Sequence, residues 1–135
     1  MACLDTTVLI DLVGSKSKYR EKALFKIDQL IQRNESLVTT RFNIAELYVG
    51  VERSANQKSE EQVIHHLLKF ISVIEFDDMA ARLFGQITAY LQTIGKPAGD
   101  MDVLIAATAM VSNHILITRN SKHFMNIPEL MVEEY

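Results

Sequence analysis

The feature that most constrains this chain is the alternation of very short apolar runs with longer segments of helical periodicity. The runs are Ala2-Cys3-Leu4, Ser36-Leu37-Val38-Thr39, Ser72-Val73-Ile74-Glu75-Phe76, Ile115-Leu116-Ile117 and a last candidate near Leu130 to Glu133. Runs of this length, bounded by polar residues, read as buried strands. Between the first two, Thr6 or Thr7 is placed to cap a short helix carrying Val8, Leu9, Ile10, Leu12 and Val13, closed by Gly14. The spacing of Ala23, Leu24, Ile27, Leu30 and Ile31 predicts a second helix from Tyr19 to about Arg33. Thr40 is a cap for a third, Arg41 to about Arg53; Asn56 to Glu60 reads as a polar loop, and Val63 to Phe70 as helix again. Asp77 or Asp78 begins the clearest helix, with Ala80, Leu83, Phe84, Ile87, Tyr90, Leu91 and Ile94 on one stripe and Gly95 at its end. Met101 to Val111 is too uniformly apolar for a surface helix. Strands alternating with helices predict an α/β sandwich around a mainly parallel sheet, and such sheets bind ligands at the carboxyl ends of their strands. Asp5, the Thr40 turn and Asn120 lie just beyond predicted strands.

Composition narrows the class. At 135 residues without repeats or a low-complexity stretch, one domain spanning 1–135 is expected. The single cysteine, Cys3, excludes a disulfide framework and fits a reducing, cytoplasmic compartment. No Cys-rich or paired-His pattern points to structural zinc, and no apolar run approaches the ~18 residues of a membrane span. Asp5 interrupts the start too early for a secretory signal. Seventeen acids against 14 Lys and Arg leave a net charge of −3, which argues against nucleic-acid binding by bulk charge. It leaves open an enzyme that holds a polyanion through metal ions.

Most acids sit in polar surroundings, Glu133 and Glu134 among them, and read as solvated. Four are pressed against apolar sequence. Asp5 follows the first strand directly, which suits a helix cap or an Asx turn as well as a site. Glu46 has Phe42 and Val49 as helical neighbours, so it does not belong to a plain polar stripe, although an exposed glutamate fits too. Asp100 and Asp102 both head the apolar helix, and two acids exceed what capping one helix needs. Gathering buried carboxylates is costly unless Lys, Arg or a divalent cation neutralises them. Mg²⁺ and Mn²⁺ prefer such oxygens and work beside substrate phosphates, which suits metal-assisted phosphodiester hydrolysis.

The order of these residues resembles a known family. Leu4-Asp5-Thr6-Thr7-Val8-Leu9-Ile10 is similar to the opening motif of PIN-domain proteins. Asn43-Ile44-Ala45-Glu46-Leu47-Tyr48-Val49-Gly50 resembles the second motif, Asp102-Val103-Leu104-Ile105-Ala106-Ala107 the third, and Leu116-Ile117-Thr118-Arg119-Asn120 with His123-Phe124 the fourth. The four occur in order across nearly the whole chain and look most like VapC-type toxins of prokaryotic toxin–antitoxin pairs. The resemblance implies a three-layer α/β/α fold and a Mg²⁺- or Mn²⁺-dependent endoribonuclease. It implies Asp5, Glu46 and Asp102 as the principal acids, Asn120 at a fourth position, and Asp100 as a further metal ligand if it stays in the turn before the helix. Thr6 and Thr118 would offer hydroxyls to substrate by the same analogy, although satisfying backbone groups at strand ends suits them as well. Arg119, at the fourth motif, is placed to meet substrate near the metal. The implied partners are RNA, a small VapB-like antitoxin and a second copy in a homodimer. Leu24, Ile27, Leu30 and Ile31, or Val63, Leu67 and Phe70, offer surfaces for them, and each stripe also reads as core.

Further candidates stand beside these. Lys16, Lys18, Arg20, Lys22 and Lys26 form a basic stretch, and Arg41 and Lys96 adjoin the motifs; His65, His66 and His114 read as structural or surface residues, and His123 lies near Asn120. A phosphatase of the haloacid-dehalogenase type would need a second aspartate where Thr7 stands. The remaining alternative is a PIN-like module that binds RNA or protein without cleaving.

Overall fold

In the computed structural model, which describes residues 1–14 and 16–135, the predicted strands assemble into one five-stranded sheet. The strands are β1 (Ala2–Leu4), β2 (Leu37–Thr40), β3 (Ser72–Ile74), β4 (Ile115–Ile117) and β5 (Val132–Glu133). Their order is β3-β2-β1-β4-β5, and every neighbouring pair is parallel. The helices are α1 (Thr6–Val13), α2 (Arg20–Gln32), α3 (Arg41–Glu52), α4 (Gln57–Leu67), α5 (Asp78–Thr93) and α6 (Asp100–Val111).

A parallel sheet must be covered on both faces, which is why its strands are apolar throughout rather than alternating. Successive side chains point to opposite faces. Cys3 and Leu116 pack with Val103, Ile105 and Ala106 of α6 and Ile87 and Leu91 of α5. Ala2, Leu4 and Ile117 pack on the other face with Val8 and Leu9 of α1, Leu30 of α2, Leu47 and Val51 of α3 and Ile64 of α4. The result is the three-layer α/β/α arrangement. Each fully buried aliphatic side chain here contributes roughly 1.5–3 kcal/mol.

The chain lays β2 and β3 on one side of β1 and then crosses to lay β4 and β5 on the other. The reversal falls between β1 and β4, whose register pairs Leu4 with Ile117. The crevice at the carboxyl ends of those two strands is therefore the topological switch point, where parallel sheets bind their ligands. Asp5 and Thr118 stand at its two sides, and the Asp5 amide donates to the Ile117 carbonyl at 2.9 Å.

Several boundaries differ from the sequence expectation. α4 begins at Gln57, inside the segment read as loop, because its first turn is polar and exposed and shows no apolar stripe. β3 ends at Ile74 rather than Phe76. Asp5, not Thr6 or Thr7, occupies the N-cap position of α1, yet its side chain makes no capping bond. Thr40 does cap α3, accepting from the Asn43 amide at 3.2 Å. Asp77 caps α5, and Gly95 just beyond that helix takes φ 68°, the left-handed geometry glycine adopts without a Cβ clash.

Candidate active site

Asp5 is 6% exposed and is held from three sides. Thr118 Oγ1 donates to its Oδ2 at 2.7 Å, Asn43 Nδ2 donates to its Oδ1 at 3.2 Å, and Thr7 Oγ1 makes a longer contact of 3.4 Å. Asn43, fully buried in the first turn of α3, also donates to Thr6 Oγ1 at 2.9 Å, and Thr6 in turn donates to Glu46 Oε1 at 2.5 Å. Its own Oδ1 accepts from the Thr40 backbone at 3.2 Å and from the Thr40 hydroxyl at 2.6 Å. One chain of donors thus runs from the end of β2 through Asn43 and Thr6 to two carboxylates. Such a satisfied buried network holds its members in a single arrangement.

Asp102 faces the same crevice from the first turn of α6. Its nearest basic partner is His123, whose Nδ1 lies 3.6 Å from Oδ2 and whose side chain is 58% exposed. Burial pushes the Asp102 carboxyl above its usual value; His123 opposes this, and the negative charge of Asp5 adds to it. Burial likewise raises Glu46, the Thr6 hydrogen bond opposes, and the charges of Asp5 and Asp102 raise it further. The three acids therefore sense one another across the crevice. Among the described residues, no lysine or arginine is ion-paired with any of them.

The other expected residues divide. Neither Asp100 nor Asp102 caps α6; Gly99 holds that position without a side-chain bond. Asp100 is exposed in the first helical turn and lines a pocket with Thr88, Gln92 and Pro97. Two residues along a helix separate it from Asp102 by about 200°, so the condition for both to face one ion is not met. Asn120 follows β4 and donates its backbone amide to Thr118 Oγ1 at 3.0 Å. Thr6 and Thr118 spend their protons on carboxylates. Arg119 turns away from the crevice: its Nε lies 2.8 Å from Asp11 Oδ2, and its guanidinium carbon lies 4.4 Å from the Tyr19 ring centre. Arg41 is paired at the surface with Glu75 at 2.6 Å.

The basic stretch does not form one surface, because Lys26 is 6% exposed and bonded to Glu133. Glu133, expected to be solvated, also accepts from Arg33 at 2.9 Å. His65 and His66 are exposed on α4, whereas His114 is buried with Nδ1 unpartnered among the described residues.

Two participants were missed. Asn43 had a signal: it lies three residues after the capping Thr40 and three before Glu46, on one helical face with each. Asp11 had one as well, since Ile10 and Leu12 press it into apolar sequence as Phe42 and Val49 press Glu46.

Among the described residues, no three Asp, Glu, His or Cys side chains are gathered as closely as a bound ion would hold them. In donor chemistry the set fits a hard divalent cation. It offers buried or partly buried carboxylate oxygens, two of them, on Glu46 and Asp102, raised in proton affinity by burial and neighbouring charge, with no lysine or arginine among the described residues paired to neutralise them.

Comparison with known proteins gives a consistent answer. The profile described as PIN domain matches residues 2–130. The chain is 29% identical over 133 residues to the tRNA(fMet)-specific endonuclease VapC of Shigella flexneri, covering 98% of this chain and 96% of that one. The structure of VapBC-1 from nontypeable Haemophilus influenzae superposes with a TM-score of 0.83 at 28% identity, covering 98% of this chain and 96% of that one. VapBC2 from Rickettsia felis, solved on a DNA fragment from its promoter, superposes at 0.88 over 99% and 98% of the two chains, with 24% identity.

Proposed function

The chain belongs to the PIN-domain family, and from that premise we propose that it is a Mg²⁺- or Mn²⁺-dependent endoribonuclease acting as the toxin of a VapBC-type pair. The observation that carries this reading is the crevice itself: Asp5, Glu46 and Asp102 meet at the switch point of a parallel sheet, Glu46 and Asp102 are raised in proton affinity, and among the described residues no lysine or arginine is paired with any of the three. Asp5, Glu46 and Asp102 would hold the cation. When bound, it would lower the pKa of an attacking water and offset charge developing on the phosphate oxygens.

The protein's own groups have separate tasks. Thr118 and Asn43 aim Asp5, and Thr6 aims Glu46, so the carboxylates are oriented before substrate arrives. His123, exposed beside Asp102, would meet an RNA phosphate there. Asn120 lies at the same mouth and offers an uncharged amide. Hydrolysis adds the water oxygen to phosphorus and breaks the bond to a ribose oxygen, which leaves with a proton. Asp100 has no part in this arrangement.

The partner reading follows from the relatives. The Haemophilus and Rickettsia structures are VapBC assemblies. Leu24, Phe25 and Ile31 on α2 are 47%, 65% and 57% exposed, and Phe70 after α4 is 69% exposed. These apolar side chains are the surface offered to a VapB-like antitoxin or a second copy. No helix among the described residues is long and apolar enough to cross a membrane.

The test is cleavage mapping on total RNA with the wild type and Asp5→Asn, with and without Mg²⁺ or Mn²⁺. Discrete cuts that need both metal and Asp5 are expected. Identical patterns from both proteins would overturn the site. RNA binding without cuts would favour a non-cleaving module.

A further inference from the structure

The segment after β4 carries Thr118, Arg119 and Asn120 in succession. Thr118 holds Asp5, and the Asn120 amide folds back onto Thr118. Arg119 alone leaves the crevice. It makes a two-pronged contact with Asp11, Nε to Oδ2 at 2.8 Å and Nη2 to Oδ1 at 3.2 Å. Asp11 is 1% exposed and accepts two more bonds, from the Tyr135 phenol at 2.6 Å and from Ser17 at 2.8 Å. The stretch 133–135 meets the same segment elsewhere: the Thr118 amide donates to the Glu133 carbonyl at 3.1 Å, and the Ser121 hydroxyl donates to Glu134. The segment bearing Thr118 and Asn120 is thus pinned on the side away from the acids.

We propose that Asp11, Arg119 and Tyr135 form a latch that sets the position of Thr118 and Asn120, making Arg119 and Tyr135 positioning residues for the acid site. Its catalytic consequence rests on the endoribonuclease reading above. A bidentate arginine–carboxylate contact is directional, and its planar fork fixes the backbone that carries it. Releasing Arg119 to bind an RNA phosphate would leave the Asp11 carboxylate buried without its cation. Tyr135 closes the arrangement by donating to the oxygen that also receives Arg119 Nε. Supporting contacts of this kind change rates by about 10–100-fold when removed, because reacting groups drift out of alignment.

Tyr135→Phe deletes one hydroxyl and keeps the ring, and Arg119→Lys keeps the charge but loses the fork. Steady-state RNA cleavage, its salt dependence, thermal melting and amide hydrogen exchange are measured on the intact protein. Both variants are expected to lose about tenfold in kcat with KM and salt dependence unchanged. Exchange at the amides of Thr118 and Asn120 is expected to quicken while that of β2 stays the same. Wild-type kcat and exchange in Tyr135→Phe would overturn the latch. So would an Arg119→Lys variant whose entire loss lies in KM, since Arg119 would then be a substrate contact. If the wild-type protein cleaves no RNA, the function fails, and the exchange rates still decide whether the latch exists.

Discussion

Asp5 heads one short helix and Asp11 lies within its last turn, both nearly excluded from solvent, and the protein treats them in opposite ways. Burial alone would push the Asp11 carboxyl up. Hydrogen bonds from Arg119, Tyr135 and Ser17, with the Arg119 charge, outweigh it and hold the group below its usual value. Across the crevice from Asp5, Glu46 and Asp102 are driven the other way, by burial and by each other's negative neighbours. The protein supplies a guanidinium to one carboxylate and withholds it from the set at the strand ends. Asp11 is a finished contact; on the proposed reading the acid set takes its positive partner from outside.

The largest effect that would break this contrast is on chemistry. Asp5→Asn or Asp102→Asn should lower RNA cleavage by about 10³-fold, the loss of several kcal/mol of charge stabilisation. Asp102→Asn should melt slightly higher, because a like-charge repulsion is removed, whereas Asp5→Asn turns an amide nitrogen toward one of the donors that hold Asp5 and should melt somewhat lower. Asp11→Asn is the mirror case. It strips Arg119 and Tyr135 of a buried anion and should cost about 2–3 kcal/mol of stability, read by denaturant melting. If the Asp11 and Asp102 variants had the same stability, the contrast would be wrong.

Acidity sharpens the same comparison. The folded value of Asp11 is depressed, so its contribution is complete above the usual carboxylate range and is lost as pH falls through the folded value. Glu46 and Asp102 have raised folded values, so their ionisation costs stability as pH rises from the usual range through those values. Melting across acidic pH should therefore show the deficit of Asp11→Asn shrinking as pH falls. Any gain of Asp102→Asn should grow as pH rises. The smallest effect belongs to the exposed Arg41–Glu75 pair: Arg41→Ala should leave the melting temperature essentially unchanged.

The layered fold was legible because its signals are local. Three-residue apolar strands, a capping Thr40, an Asp77 start and a Gly95 stop each act within a turn of their own position. The acid set was legible by the anomaly of charge inside apolar sequence, reinforced by the order of four motifs. The same anomaly at Asp11 was passed over, because its partners Arg119 and Tyr135 lie on the far side of the chain and no spacing announces them. Asn43 was hidden inside a motif quoted for its glutamate. Asp100 shows the limit of motif reading: its type and place suggested a ligand, but helical geometry turned it to another face. Glu133 and Lys26 looked like solvated charges and are instead each other's partners. Local periodicity cannot reveal a pair made across the sheet.

The most direct measurement of the central claim is the melting temperature of wild type, Asp102→Asn and Asp11→Asn as Mn²⁺ is titrated without RNA. A ligand that binds only the folded state stabilises it by RT ln(1 + [L]/Kd). The wild type should rise steadily with Mn²⁺, Asp102→Asn should rise little, and Asp11→Asn should begin lower and still rise. A wild-type curve that ignores the metal, or one that Asp102→Asn follows in parallel, would contradict the account.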